Sequence, residues 1–541
     1  MHESQRLNGT RSRDSPFVKK KEYIENTHGS NVRLASSGWS ARRAATEKGA
    51  GAMVENGSLV VTPGCRISRS VFLFGFLVLV FLVAPQSAQA QIVRNTVGPD
   101  GTFATIQAAV NACPSAVECH VDVEMANIYT ENVVFPISHT SGTILVSGGW
   151  DATFSSRIEN FRASTIDGGA TGRVLDIQVS GGTVAIEGFI IENGSDTRGA
   201  GINVDPGGAS GAIVKLTNLD IRNNHASNTY SCEGGGVRAQ LNGSERLEIV
   251  NSEISSNSVT VTSESNYAAG GGIYISASGT ASFLVDDTWV EENTATSDTA
   301  QKEGAGQAFY LEGESSGEIV NMEVTGNTAG GTFDAVTGTG GRLILDDNAS
   351  LVVRQGVWAL NSNLTGDTES QLHIGSYGNA TLLVTDTAIV LGDQNGLYSR
   401  AWDFSSQRFV NLTVADNALT GINFDLVGGG TTGSVYNSIA YGNGTDVYLA
   451  AGIGTGNNLI GVDPIWVAPG PPSYNYRLDQ GSPALDAGNN APPGGLGPLD
   501  LDGLPRIQNS NVDIGCYEGA GRLFADGFES GDTGEWSSAV P

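Results

Sequence analysis

The chain has 541 residues, 73 of them glycine and 39% hydrophobic, which excludes wholesale disorder and leaves room for a long, thin core. Its formal net charge is −28, and the residues after position 90 hold 17 basic and 51 acidic side chains, a net of −34. So acidic a surface repels nucleic acid and anionic membrane; it favours divalent cations or neutral partners, or acts simply as a solvating coat.

Residues 1–90 differ from the rest. Arg66 and Arg69 precede an apolar run from Val71 to Ala84, then Pro85 and Ser87-Ala88-Gln89-Ala90. This order reads as a signal peptide with cleavage after Ala90; the run is short for a membrane anchor, and no transmembrane span is expected in the mature chain. The residues before Met53 are unusually long for a signal n-region, so Met53 is an alternative start. Export makes the setting oxidising, secreted or on the outer surface. Cys113 and Cys119 flank a Pro-containing loop and are the disulfide candidate; Cys232 and Cys516 are left unpaired.

Residues 91–165 read as a cap. Pro99-Asp100-Gly101 is a turn, Thr105 to Ala112 an amphipathic helix with Ile106, Ala109 and Val110 inward, and Val121–Met125 and Thr143–Val146 are strands. The first coil of a solenoid must be shielded from water, and a helix followed by strands can do that.

From 166 to 460 a short phrase recurs. Leu216, Asn218, Ile221 and Asn224 are spaced 0, +2, +5 and +8, as are Ile249, Asn251, Ile254 and Asn257. Val285, Asp287, Val290 and Asn293 repeat it, then Ile319, Asn321, Val324 and Asn327. Ile186, Gly188 and Ile191 precede as a degenerate copy; Val384, Asp386 and Ile389 form a weaker one. Phe409, Asn411, Val414 and Asn417, and then Val435, Asn437, Ala440 and Asn443, close the series. A glycine signal lies between phrases, at Gly199, Gly234, Gly270 and Gly304. Apolar residues two apart place one strand face inward; the Asn or Asp that follows tolerates the left-handed conformation that bends a strand without a loop. Such a unit cannot bury its own interior, so copies must stack about 4.8 Å apart, strand on parallel strand. The stacked Asn residues read as amide ladders rather than ligands. Three long loops, Ala226–Glu233, Val259–Ala269 and Thr294–Glu303, are expected to leave the coils and carry any binding surface.

Composition shifts at 461–520, a Pro-rich and Asp-rich region containing Ala484-Leu-Asp-Ala-Gly488, Leu499-Asp-Leu-Asp-Gly-Leu-Pro505 and Val512-Asp-Ile-Gly-Cys-Tyr-Glu518. Residues 521–541 form an acidic tail with Asp526-Gly-Phe-Glu-Ser-Gly-Asp532 and Trp536.

Residues 97–169 resemble the N-terminal cap of pectin-lyase-like right-handed parallel β-helix proteins, and the coils resemble polymorphic outer-membrane-type repeats. Ser482-Pro-Ala-Leu-Asp-Ala-Gly488 and Asp513-Ile-Gly-Cys-Tyr-Glu518 are similar to the choice-of-anchor Q region of secreted bacterial proteins. The tail is similar to short endings of such proteins, for which surface retention and a disordered acidic terminus are the two readings. The resemblance implies an all-β, single-stranded right-handed parallel β-helix with an N-terminal cap. It implies little about activity, because the fold hosts lyases, hydrolases and adhesins alike.

Chemistry is harder to find. A hydrolase needs two or three carboxylates on adjacent coils; Asp286-Asp287 and Asp346-Asp347 are the candidates, but Asp287 already occupies a bend position. The histidines after the leader, His120, His139, His225 and His373, join no recognisable Ser or Cys arrangement. Arg238 and Lys215 are candidates for a uronate clamp on one groove, with a solvated surface as the alternative reading. No cofactor is required; the Asp-rich turns at Asp500, Asp502 and Asp513 are candidate Ca2+ ligands. The sequence thus favours a non-catalytic protein that binds a polysaccharide or cell-surface ligand, with a polysaccharide lyase or glycoside hydrolase as the alternative. It leaves the catalytic residues and the oligomeric state open.

Overall fold

The computed structural model describes residues 92–519, apart from 159–162, 208–210, 263–266, 332–335 and 365–369. The leader, its cleavage point after Ala90 and the acidic tail lie outside the described residues.

The chain winds into a parallel β-helix. The apolar positions of the phrase stack in register: Leu216, Ile249, Val285, Ile319, Val353, Val384, Phe409 and Val435 pair in succession, and all are buried. Beyond the bend, Ile221, Ile254, Val290, Val324, Trp358, Ile389, Val414 and Ala440 form a second buried column. These two rows make one long bent sheet. The residue at the bend has positive φ in every copy, from 48° at Asn251 to 57° at Asp386 and Asn411 and 79° at Gly188 of the degenerate first copy, as the Asn and Asp pattern predicts. One coil escaped the sequence reading. Val353, Gln355, Trp358 and Asn361 have the same spacing, with Gln and Trp in place of the usual residues.

After the second row the chain turns again, but the left-handed residue is the one before the repeated Asn: Asn223, Ser256, Glu292, Gly326 and Leu360. This frees the Asn side chain to point inward. Asn224 Nδ2 donates to Asn257 Oδ1 at 2.9 Å, Asn257 to Asn293 at 3.0 Å, Asn293 to Asn327 at 3.0 Å and Asn327 to Asn361 at 2.9 Å. Each Asn backbone N–H also donates to the next amide, and each Nδ2 to a carbonyl one coil back, such as Ile221 for Asn257. The ladder amides are thereby satisfied in a buried interior. The ladder also explains the glycine signal. A Cβ at Gly236 would lie 2.9 Å from Asn257 Nδ2 and 2.7 Å from the Gly272 carbonyl oxygen, and Gly272 and Gly306 stand the same way against Asn293 and Asn327.

The three segments expected as loops are partly strands. His225–Asn228, Ser258–Val261, Thr294–Ser297 and Thr328–Gly330 belong to a six-stranded sheet; Cys232–Glu233, Tyr267–Ala269 and Gln301–Glu303 belong to a four-stranded one. Alternation decides this: Ala226, Val259 and Ala295 turn inward and close a separate buried cluster with Cys232, Ala268 and Ala305. The chain then crosses the glycine signal into an 11-stranded parallel sheet that returns to the first row.

The coils change width along the axis. Asn224 to Asn257 spans 33 residues and Asn257 to Asn293 spans 36, but Asn417 to Asn443 spans only 26. The six- and four-stranded sheets end with Asn363 and Thr337, so the later coils lack this ledge.

At the N-terminal end, helix Ile106–Asn111 buries Ile106, Ala109 and Val110, with Thr105 as its N-cap. Cys113 and Cys119 are joined, their Cα atoms 5.7 Å apart, while Cys232 and Cys516 are buried free thiols. Parallel pairing starts within the cap: Val93–Val97 pairs with Glu118–Glu124, and that strand with Thr143–Trp150. At the other end, residues 462–519 fold back as a strap against the second row of the narrow coils. Trp466, Tyr476, Leu478, Leu501, Ile514 and Tyr517 pack on Val357, Ala359, Ala388, Val390, Ala415 and Ile439. The outward residues of that row are small or apolar, so an uncovered row would expose a continuous apolar band. Among the described residues no helix is long and apolar enough to cross a membrane.

Candidate functional site

The outer face of the 11-stranded sheet carries a group of aromatic and polar side chains. The narrow strands Ser370–Ser376, Asn395–Trp402 and Thr420–Val427 lie side by side, with His373, Tyr398 and Asn423 in one register row. Alternation along Asn395–Trp402 brings Tyr398, Arg400 and Trp402 to the same outer side. His373, Asn395, Tyr398, Arg400, Trp402, Leu419, Thr420 and Asn423 line an open cleft of about 620 Å³. It lies on the narrow coils, which carry no ledge over this face.

The walls are aromatic. The His373 and Tyr398 rings have centroids 5.0 Å apart, and Trp402 stacks on Tyr377 at 4.4 Å and 11°. The Arg400 guanidinium lies 5.1 Å from the Tyr398 ring centroid and 5.5 Å from that of Trp402, and is tethered to Asp425 at 3.2 Å. Two buried polar atoms here have no partner within the protein: Asn423 Oδ1, an acceptor, and Arg400 Nε, a donor. Leaving both unmet costs roughly 1–3 kcal/mol each; both atoms are almost closed to solvent, so a ligand that donates and accepts meets them only when the cleft side chains shift.

On the wider coils the same face continues as closed polar clusters. Glu233 accepts from Arg238 Nε at 2.9 Å and from Tyr267 Oη at 2.9 Å. Glu303 accepts from Tyr310 Oη and pairs with Arg342. Burial pushes the Tyr267 phenol up to about 12, and the neighbouring Glu233 charge adds to it, so that hydroxyl stays a donor.

The residues singled out from sequence are scattered. Arg238 and Lys215 do not share a groove: Arg238 is buried on the 11-stranded sheet against Glu233, whereas Lys215 is half-exposed on the bent sheet and pairs with Glu248 at 3.0 Å. Asp287 is a bend residue with φ 49° and accepts from Asn321 Nδ2 at 2.7 Å. Asp347 is a left-handed turn residue whose N–H donates to Asp346. His120 meets Glu118 at 2.7 Å, and exposed His225 meets Ser258 at 2.7 Å. Burial holds His139 below the usual imidazole value. Of the four histidines, His373 alone lines the cleft.

The three candidate Ca2+ ligands sit in the strap. The Asp500 carboxylate accepts from the N–H groups of Leu504 and Glu518, and that of Asp513 from Asp486 and Gly519. Asp502 holds Arg477 through both oxygens. Among the described residues, no three acidic, His or Cys side chains gather in a way that could hold a metal ion.

Sequence reasoning missed Tyr398, Arg400, Trp402 and Asn423. The signal was the alternation Tyr-x-Arg-x-Trp over 398–402, which displays three large side chains on the solvent face of a strand.

No family model matches the chain, and no curated protein matches it. Among solved structures it is similar to one titled "Crystal structure of pectate lyase Pel9A", with a TM-score of 0.44 and 11% identity over 80% of this chain and 97% of that one.

Proposed function

We propose that this is an exported, surface-exposed β-helix protein that binds a polysaccharide in the cleft of the narrow coils, without cleaving it. The observation that carries the reading is the combination at one place of aromatic faces, Tyr398 and Trp402, with the unmet acceptor Asn423 Oδ1 and donor Arg400 Nε. Sugar rings present apolar C–H faces to aromatic rings, and their hydroxyls both donate and accept. The acids on this face favour binding over hydrolysis: Asp425, beside the cleft, is tied to Arg400, and Glu233 and Glu303 on the wider coils are each clamped by an arginine and a tyrosine hydroxyl. A proton-transferring pair needs at least one carboxyl group open to the substrate.

Titration calorimetry against a panel of neutral and acidic polysaccharides tests this. Wild type is expected to bind at least one of them, and Trp402→Ala combined with Arg400→Ala is expected to lose at least tenfold in affinity. Reducing-end and unsaturated-uronate assays run on the same mixtures. Product release from the bound glycan would replace binding with catalysis, and absence of binding across the panel would remove the glycan reading.

A further inference from the structure

The central row of the cleft does not stop at Asn423. His373, Tyr398 and Asn423 pair in succession, and Asn423 pairs in turn with Tyr448, on the strand Thr445–Leu449 that ends the 11-stranded sheet among the described residues. Tyr448 lies outside the cleft lining and is 59% exposed. Followed the other way, the same row runs through Arg342, Ala308 and Tyr274 to Arg238. There it is closed: Ala308, Tyr274 and Arg238 are all buried. The row thus opens over the narrow coils, where successive rungs read tyrosine, asparagine, tyrosine.

Parallel rungs lie about 4.8 Å apart, so the backbones of Tyr398 and Tyr448, two rungs apart, are separated by about 10 Å along the axis. That is close to the length of the disaccharide unit in an extended ribbon of 1,4-linked pyranoses whose linkage bonds are both equatorial. Each sugar of such a ribbon is turned over relative to the last, so every second ring offers the same face. An aromatic side chain at every second rung, with a short amide between, follows that alternation. The rings of Tyr398 and Tyr448 then meet C–H faces, and the Asn423 amide stands level with the hydroxyls of the sugar between them. A glycan with axial linkages coils and loses this register within a few sugars. Charge selects further. Arg400 is the one lysine or arginine among the lining residues and is tied to Asp425 at 3.2 Å, and the chain after position 90 carries a net charge of −34, which repels a polyuronate.

We infer that the cleft takes a neutral, two-fold polysaccharide ribbon of equatorially 1,4-linked pyranoses laid along the helix axis, with Tyr448 as a second aromatic subsite. This rests on the glycan-binding reading and adds linkage, charge and direction to it.

The experiment is titration calorimetry of the full chain with oligosaccharides of two to six sugars. Three series are β-1,4-linked and extended, from glucose, N-acetylglucosamine and mannose; the comparison series are α-1,4-linked glucose, β-1,3-linked glucose and oligogalacturonides. At least one extended neutral series is expected to bind at least tenfold tighter than every comparison series. Its affinity is expected to rise between two and three sugars, the length that first spans both tyrosines. Tyr448→Ala is expected to remove that rise and to lower hexasaccharide affinity about fivefold, the loss of one aromatic contact, while disaccharide affinity is unchanged; Tyr448→Trp is expected to keep the rise. A coiled or acidic series bound as tightly as the extended ones would overturn this inference and leave glycan binding standing. So would a Tyr448→Ala length profile identical to wild type, or binding of a polysaccharide with none of these oligosaccharides bound. Absence of binding to polysaccharides and oligosaccharides alike would overturn both readings.

Discussion

In the wide coils the bend residues bond to one another: Asn251 donates to Asn218, and Asn321 to Asp287. In the narrow coils the same positions turn outward to the strap. Gln355 donates to the Asp500 carbonyl, Asn411 to those of Asp513 and Gly515, Asn437 to that of Asn489 and Asn457 to that of Ala487, while Asp386 receives Arg506. The amide chosen to bend the backbone is available for either partner, because bending uses only φ and ψ and leaves the side chain free. What differs is the neighbour. In the wide half the outward residues of the second row are polar, as where Arg222 pairs with Glu192 and Asp220, whereas in the narrow half they are small or apolar and are covered by the C-terminal segment. Where the ledge is missing, the 11-stranded sheet presents the cleft.

The inner ladder shows the same contrast in finer detail. Where the phrase requires an Asn after the second bend at Leu391, the chain has Gly392. Gln371, from the neighbouring strand, fills the gap: its Oε1 accepts from Asn361 and its Nε2 donates to Asn417 Oδ1 at 2.8 Å and to the Val390 carbonyl at 2.8 Å. The ladder therefore runs unbroken from the wide coils into the narrow ones, to Asn443.

The comparison can be broken most severely at Arg506. Arg506→Met leaves Asp386 and Glu518 buried without a cation and is expected to cost about 3–5 kcal/mol. In chemical denaturation followed by hydrogen exchange, the loss should be confined to the strap and narrow coils; uniform loss along the axis would show that the two halves are one cooperative unit. Asn257→Ala removes two ladder donors and an acceptor from the wide half and is expected to cost about 3 kcal/mol, read as a lowered denaturation midpoint. An unchanged midpoint would strip the ladder of energetic meaning.

Gly392→Asn restores the phrase but drives a Cβ to 2.6 Å from Gln371 Cγ, so by itself it is expected to cost about 1–3 kcal/mol. Combined with Gln371→Ala it is expected to recover most of that, giving a coupling of about 1–2 kcal/mol in a double-mutant cycle. Strict additivity would deny that Gln371 stands in for the missing rung. The smallest effect on stability is expected at Trp402→Ala. Losing the stack on Tyr377 removes about 1 kcal/mol, read as a small drop in the denaturation midpoint, whereas affinity for the proposed glycan is expected to fall severalfold in the same titration calorimetry; an unchanged affinity would detach Trp402 from the cleft's binding role.

Much of this was legible in the sequence. The 0, +2, +5, +8 spacing identifies the strand rows, the bends and the ladder, because each depends on residues a few positions apart. Val353, Gln355, Trp358 and Asn361 were overlooked since Gln and Trp depart from the usual residue types, not from the spacing. The supposed loops held alternating small residues, Ala226, Val259 and Ala295, whose inward turn is weak evidence until a neighbouring coil packs against them. The cleft residues were passed over because outward side chains obey no burial pattern; Tyr398, Arg400 and Trp402 gain meaning only beside His373 and Asn423 from other coils.

The sequence by itself determined a stack of parallel coils, capped by a short helix and laddered by asparagine, because local alternation and left-handed bends leave the backbone few other ways to bury its apolar residues. The tertiary structure decided how wide each coil is, where the ledge stops, that Gln371 replaces a missing rung and that the Asp-rich segment lies along the flank, not over the end. Those outcomes depend on which side chains meet after whole coils of chain have been wound, and contacts of that range leave no period in the sequence.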